Sequence, residues 1–292
     1  MYELIKVTGR AYYIDCPSKV GIVKIADDRV VLIDSGNDKE MGKRIKRILD
    51  AEGWTLDAIY NTHSHADHIG ANAYLHAEYG CKIYSSDFEC ASIRHPMLEP
   101  SLLYGGMPPK ELCNKFLLAD PSPAEPITED TLPSCLSTFS LSGHTTGMLG
   151  FLTDDGAAFI ADSLSSEATL SKYTVLYIYD VAGYVETLER LIEMKAEVFI
   201  PSHADATASI ADLARKNLAS TLEVADVILG FISEPRAAEE VVERVFEYYG
   251  IKMSTQQHSL IGSTVRSYLT YHARRGAAET VAVGNRLLWK AV

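Results

Sequence analysis

The segment Asn61-Thr62-His63-Ser64-His65-Ala66-Asp67-His68-Ile69-Gly70 puts three histidines and one aspartate within six consecutive positions. A lone histidine is most often a hydrogen-bonded structural residue, but the spacing His-x-His-x-Asp-His assembles a donor set. Ala58-Ile59-Tyr60 ahead of it reads as a strand and residues 71–79 behind it as a helix. The motif therefore occupies a strand-to-helix turn, where side chains can converge on one point. Imidazole nitrogen and carboxylate oxygen suit Zn²⁺, Mn²⁺ or Fe. No cysteine joins the motif, which excludes a Cys-rich zinc finger.

Working outward, residues 4–7, 11–14, 20–25 and 30–34 read as short strands, and the last stops at Asp34-Ser35-Gly36. Residues 41–49 have helical spacing. Further strands are expected at 82–85, 136–141, 149–153 and 157–161, a helix at 185–194, and a strand at 198–201 that runs toward His203. Early strands followed by strands mixed with helices predict a layered α/β protein. Eight of the 11 prolines fall between Pro96 and Pro133, a density that predicts irregular backbone. That segment carries Tyr104, Met107 and Phe116 and is expected to act as a lid that contacts substrate. Beyond residue 205 the pattern turns helical, with apolar stripes over 210–229 and 241–246. A helix over 260–271 follows, then strands at 280–283 and 287–289 joined across Gly284-Asn285. This is the order of a winged-helix-like unit. Two units are expected, a catalytic domain over 1–205 and a helical, winged-helix-like unit over 206–292.

Three later segments complete a pattern. His144 lies in Ser142-Gly143-His144-Thr145-Thr146-Gly147, Asp162 in Phe159-Ile160-Ala161-Asp162-Ser163, and His203 in Pro201-Ser202-His203. With the first motif, the chain resembles the metallo-β-lactamase fold superfamily over about residues 1–205, in a glyoxalase II-like or lactamase-B-like form. The resemblance implies a four-layer αββα sandwich. It implies two divalent metal ions, zinc foremost with manganese or iron as alternatives. It puts His63, His65 and His144 on one metal and Asp67, His68 and His203 on the other, with Asp162 bridging. Such a pair lowers the pKa of a shared water, so that hydroxide attacks a carbonyl carbon or a phosphorus at neutral pH. Asp67 could also carry a proton to the leaving group. Asp34 is expected to steady a ligand through a hydrogen bond. Tyr173, Tyr177 and Tyr179 follow the bridging aspartate in a loop able to line a pocket, Tyr179 being the candidate for substrate contact.

These residues describe a dinuclear hydrolase of a small ester-like substrate: a thioester, a lactone or a phosphodiester. An endoribonuclease of the same fold is the first alternative, because some family members with helical extensions cleave RNA. A mononuclear iron enzyme resembling persulfide dioxygenases is the second, disfavoured by a full set of ligands. Loops set the substrate in such folds, so the ligand set does not choose among them. The 292 residues are 47% hydrophobic and 23% charged, which is globular composition. The net charge of −12 disfavours nucleic acid and anionic membranes. Residues 251–292 nevertheless carry +5, leaving −17 on the first 250. That basic tail is expected to pack on the acidic body or on a second copy in a homodimer, not to bind nucleic acid tightly. No apolar run is long enough to cross a bilayer and the opening residues show no leader. Five scattered cysteines read as reduced thiols. A cytoplasmic location is the expectation.

Overall fold

Alternation along the first strands decides how the chain is layered in this computed structural model, which describes residues 2–292. Strands β1 (Leu4–Lys6), β2 (Ala11–Ile14), β3 (Val20–Lys24) and β4 (Arg29–Ile33) form an antiparallel meander. After helix α1 (Lys39–Glu52), β5 (Thr55–Tyr60) joins β4 in parallel. In β4, Val30 and Leu32 face outward onto Ile45 and Leu49 of α1, while Val31 and Ile33 face inward. A strand buried on both faces needs this continuous β-branched run. Asp38 starts α1 by accepting from the Met41 amide (3.0 Å), and Gly53 ends it.

Helices α2 (Ala66–Ile69) and α3 (Asn72–Tyr79) lead to β6 (Lys82–Ser85), then to α4 (Asp87–Arg94) and α5 (Leu98–Tyr104). Strand β7 (Ala124–Pro126) pairs with β6 and completes a seven-stranded sheet in sequence order. The Pro-rich segment thus holds more regular structure than its composition predicts. The prolines stand where an amide has no ladder partner to lose. Pro100 is in the first turn of α5, and Pro126 closes an edge strand.

The second sheet contains β8 (Leu136–Ser140), β9 (Leu149–Thr153), β10 (Ala157–Ala161) and β11 (Val198–Pro201), in the order β11-β10-β9-β8. Every residue of β10 is buried. Ala157 and Phe159 meet Val31, Ile33 and Tyr60 of the first sheet, while Ala158 and Ile160 face the opposite layer. Helices α6 (Glu167–Lys172), α7 (Val181–Glu193), α8 (Ala211–Phe231), α9 (Ala238–Tyr248) and α10 (Thr255–Arg274) build that layer. The result is the expected αββα sandwich, two sheets face to face between helical layers.

The end of the chain has no core of its own. Val265, Tyr268 and Leu269 of α10 are buried in one apolar cluster with Val181, Tyr184 and Leu188 of α7 and Val224 of α8. The closing hairpin, β12 (Ala278–Val283) and β13 (Arg286–Ala291), turns at Gly284 and is tied back by paired bonds between Arg236 and Trp289 (2.9 and 2.7 Å). The tail's basic groups meet acidic partners next to it. Arg266 pairs with Glu239, and Arg286 with Glu240 at 2.7 Å. Among the described residues no helix is long and apolar enough to cross a membrane, and all five cysteines are free thiols.

Candidate metal centre

Four loops at strand ends deliver the site. His63 and His65 stand in the turn after β5, and Asp67 and His68 in the single turn of α2 that follows. Asn61 holds this turn closed: its amide donates to the His68 carbonyl (3.2 Å), and its carbonyl accepts from the Ser85 hydroxyl (2.8 Å). His144 follows β8, on a loop turned by Gly143 at φ 128°. A side chain there would meet the Tyr184 backbone nitrogen at 2.3 Å, so only glycine lets the loop lie against α7. Asp162 follows β10 and His203 follows β11. Ala161, just before Asp162, is held at φ 48°, a left-handed conformation that costs a non-glycine residue about 1–3 kcal/mol.

The seven side chains converge. His63 Nε2 and His144 Nε2 lie 3.1 and 3.0 Å from His65 Nδ1. His203 Nε2 lies 3.3 Å from Asp67 Oδ2 and 3.1 Å from Asp162 Oδ2, and His68 Nε2 lies 3.3 Å from Asp162 Oδ1. Asp162 also reaches His144, at 3.6 Å, and so touches both halves. Three overlapping groups each hold their donor atoms within 4.8 Å: His63–His65–His144, His63–His68–Asp162 and Asp67–His68–His203. Ligands about 2.0–2.2 Å from a common tetrahedral centre stand roughly 3.3–3.6 Å apart, and the observed 3.0–3.6 Å separations lie within that range or slightly inside it.

The nitrogen turned away from the cluster is also held on each imidazole. His68 Nδ1 meets Asp34 Oδ2 (2.8 Å), His63 Nδ1 meets the Thr62 hydroxyl (3.0 Å), and His203 Nδ1 meets the Pro17 carbonyl (2.8 Å). His144 Nδ1 faces the Tyr177 carbonyl (3.3 Å), and His65 Nε2 faces Glu99 (3.4 Å). Asp67 accepts from the Ser18 hydroxyl (2.6 Å). Such partners fix ring orientation and leave the inward nitrogen free to bind. Asp34 is buried at φ 62° and accepts three bonds, including the Thr62 amide (2.7 Å) and hydroxyl (2.8 Å). It therefore links the His68 ring to the Thr62 backbone and hydroxyl.

The electrostatics favour cations. The charge of Asp162 lifts His203 to about 10 despite burial. Burial opposes a charge on His68, but Asp162, Asp67 and Asp34 outweigh it and raise the imidazole well above its usual range. Burial lowers His63 and His144, the latter to about 4, and the neighbouring imidazoles add to the effect. The half with two carboxylates thus attracts positive charge, and His63 and His144 of the other half offer neutral nitrogens, the form that binds a metal. Burial of His65 is outweighed by Glu99, which raises that imidazole. Two buried atoms facing the cluster, His68 Nε2 and Asp162 Oδ1, have no hydrogen-bond partner; they are 3.3 Å apart but not aligned for a bond. Buried polar atoms rarely go unsatisfied, and a divalent ion fits both.

A family model described as the metallo-beta-lactamase superfamily matches residues 13–203, about two-thirds of the chain. The chain belongs to the metallo-beta-lactamase superfamily. A hydroxyacylglutathione hydrolase of Methylococcus capsulatus is 30% identical over 130 residues, 44% of this chain and 41% of that one. The chain thus matches less than half the length of this curated relative. Among solved structures, a metallo-beta-lactamase family protein of Thermus thermophilus has a TM-score of 0.71 at 16% identity, covering 99% of this chain and 98% of that one. A beta-lactamase domain protein of Burkholderia ambifaria has a TM-score of 0.72 at 15% identity, over 99% and 94%. Both likenesses extend the shared fold to the last helices and hairpin of this superfamily member.

The residues expected to touch substrate are spread more widely. Tyr179, 44% exposed, lines two neighbouring cavities. One, of about 230 Å³, abuts the site and is bounded by Ser64, Glu99, Thr145 and Tyr177. Tyr104 lines the other, of about 500 Å³, between α5 and α10. Met107 and Phe116 stand out into solvent, 81% and 67% exposed. It is Glu99 of α5 that reaches a candidate ligand, His65. Sequence reading missed Glu99, Glu89, Ser18 and the Tyr177 carbonyl. Only Glu89 carried a local signal, its spacing from Ser86.

Proposed function

We propose that this chain is a dinuclear, zinc-dependent hydrolase of small thioesters. The observation that carries the reading is the convergence of seven donors in two halves joined by Asp162. The name of the Methylococcus relative, a hydroxyacylglutathione hydrolase, directs the substrate choice toward thioesters. Two divalent ions bound there would acidify water and polarise the substrate carbonyl.

The protein's own groups perform the remaining work. Asp34, Pro17 and Tyr177 hold His68, His203 and His144 in the orientation that presents Nε2 inward. Asp162, reaching both halves, fixes their separation. Substrate would enter through the cavity bounded by Glu99, Thr145 and Tyr179, and the larger cavity beyond it has room for the thiol carrier. Arg274 lines that outer cavity and suits a carrier with negative charge. The pairing of Arg266 and Arg286 with Glu239 and Glu240 leaves less free positive charge for phosphate backbones.

The test is a substrate panel on zinc-loaded protein: acyl thioesters followed by thiol release, lactones, a chromogenic phosphodiester and RNA. Thioester turnover well above the others supports the reading. Preferential cleavage of RNA or of the phosphodiester would replace it, as would one iron per chain with oxygen consumption on a persulfide.

A further inference from the structure

Glu89 is 3% exposed, yet it lies outside the ligand set and touches no ligand side chain. Its two carboxylate oxygens accept four bonds, divided between two separate loops. Oε2 accepts from the amide (2.9 Å) and hydroxyl (2.6 Å) of Ser64, the residue between His63 and His65. Oε1 accepts from the Thr145 hydroxyl (2.7 Å) and the Gly147 amide (2.9 Å), on the loop that carries His144. One side chain on α4 thus ties together the loops bearing all three histidines of one half-site. A glycine at 147 is part of this arrangement. A side chain there would meet the Ser86 hydroxyl at 2.3 Å and the Phe88 Cβ at 3.1 Å, so it would force α4 away.

The sequence Ser86-Asp87-Phe88-Glu89 has the spacing of a helix-capping box, in which the glutamate would fold back on the serine amide. Only half of that box forms: Ser86 accepts from the Glu89 amide (3.4 Å), and the carboxylate is committed to the ligand loops instead. A buried acceptor of four donors from two loops acts as a clamp.

We propose that Glu89 is a positioning residue that sets the spacing of His144 from His63 and His65, and thereby governs metal affinity at that half of the centre. The proposal rests on the reading of the cluster as a metal centre. Each oxygen faces a backbone N–H, so an amide at this position must set its NH₂ against one of them. Glutamine is therefore not a conservative replacement here, despite its shape.

The experiment is stepwise zinc binding by the full chain against a competing chelator, for wild type, Glu89→Gln and Thr145→Val, with circular dichroism of the metal-free proteins. The expectation is that one of two zinc equivalents weakens about 10- to 100-fold in Glu89→Gln while the other stays within about threefold. Thr145→Val, which removes one of the four bonds, should weaken the same equivalent by less. Should Glu89→Gln fail to fold, Thr145→Val decides. Two zinc equivalents bound as in wild type would overturn the clamp and leave the metal centre standing. Equal weakening of both equivalents would also overturn it, in favour of a general structural role. A wild-type protein that binds no zinc would overturn the metal centre and the clamp together.

Discussion

Replacing Asp34 by asparagine should disable the centre while leaving the fold in place. Asp34 Oδ1 accepts the Thr62 amide at 2.7 Å, so the new NH₂ group cannot occupy that position. It must take the place of Oδ2, which now accepts from the Thr62 hydroxyl and faces His68 Nδ1, each at 2.8 Å. Donation from the amide forces His68 Nδ1 to accept, and the ring proton moves to Nε2, the atom facing Asp67 and Asp162. The same donation turns the Thr62 hydroxyl toward His63 Nδ1, 3.0 Å away, and reverses that imidazole as well. Restoring either binding tautomer sets one buried donor against another and leaves it unpaired, about 1–3 kcal/mol, or about 5- to 150-fold in affinity. Asparagine tolerates the left-handed backbone at φ 62°, so little strain is added. Zinc affinity by chelator competition should fall about 10- to 100-fold, and thioester turnover at fixed zinc by at least as much. The metal-free melting temperature should move by only a few degrees. Wild-type zinc affinity and turnover in Asp34→Asn would refute the tautomer argument.

Asp162→Ala should lower turnover by orders of magnitude and loosen metal binding in both halves, with circular dichroism unchanged, because Asp162 reaches both halves and anchors no apolar core. Gly143→Ala should cost about 1–3 kcal/mol in urea unfolding and reduce metal content, since the new side chain collides with the Tyr184 backbone beside His144. Burial of His272, whose Nε2 donates to the Ala225 carbonyl (2.8 Å), holds its imidazole below the usual range. The unfolded chain therefore takes up that proton more readily. This contribution to stability is complete above about pH 6.5 and is lost as the pH falls through the lowered value. Urea midpoints of His272→Asn should decline less between pH 7 and 5 than those of wild type, and parallel declines would disprove the assignment.

Three of the candidate ligand positions were legible because each follows a β-branched or apolar run: Ile59-Tyr60 before His63, Phe159-Ile160-Ala161 before Asp162, Phe199-Ile200-Pro201 before His203. The β-branched run of β4 read as a buried strand, whereas the stacking of two sheets was implied by the family resemblance alone. What supports the ligands was harder to read. Glu89 and Glu99 belong to short helices in and next to a Pro-rich stretch, and their partners lie 25 to 58 and 34 positions away in the chain. Nothing local marks such pairings, and at Glu89 the local signal pointed to a cap. Composition read most of the Pro-rich backbone correctly and missed only α5, one 3₁₀ turn and β7, where Pro100 falls in a first helical turn and Pro126 on an edge strand. The tail's hairpin was visible from Gly284-Asn285, whereas its fusion with the core of α7 depends on long-range packing that periodicity does not reveal.

The central claim is that two divalent ions sit among these seven side chains. Anomalous diffraction from crystals of zinc-loaded protein, with data on both sides of the zinc edge, tests it most directly. Two peaks are expected about 3.5–4 Å apart, one among His63, His65 and His144 and one among Asp67, His68 and His203, with Asp162 between them. A single peak at full zinc loading, or peaks away from these residues, would contradict it.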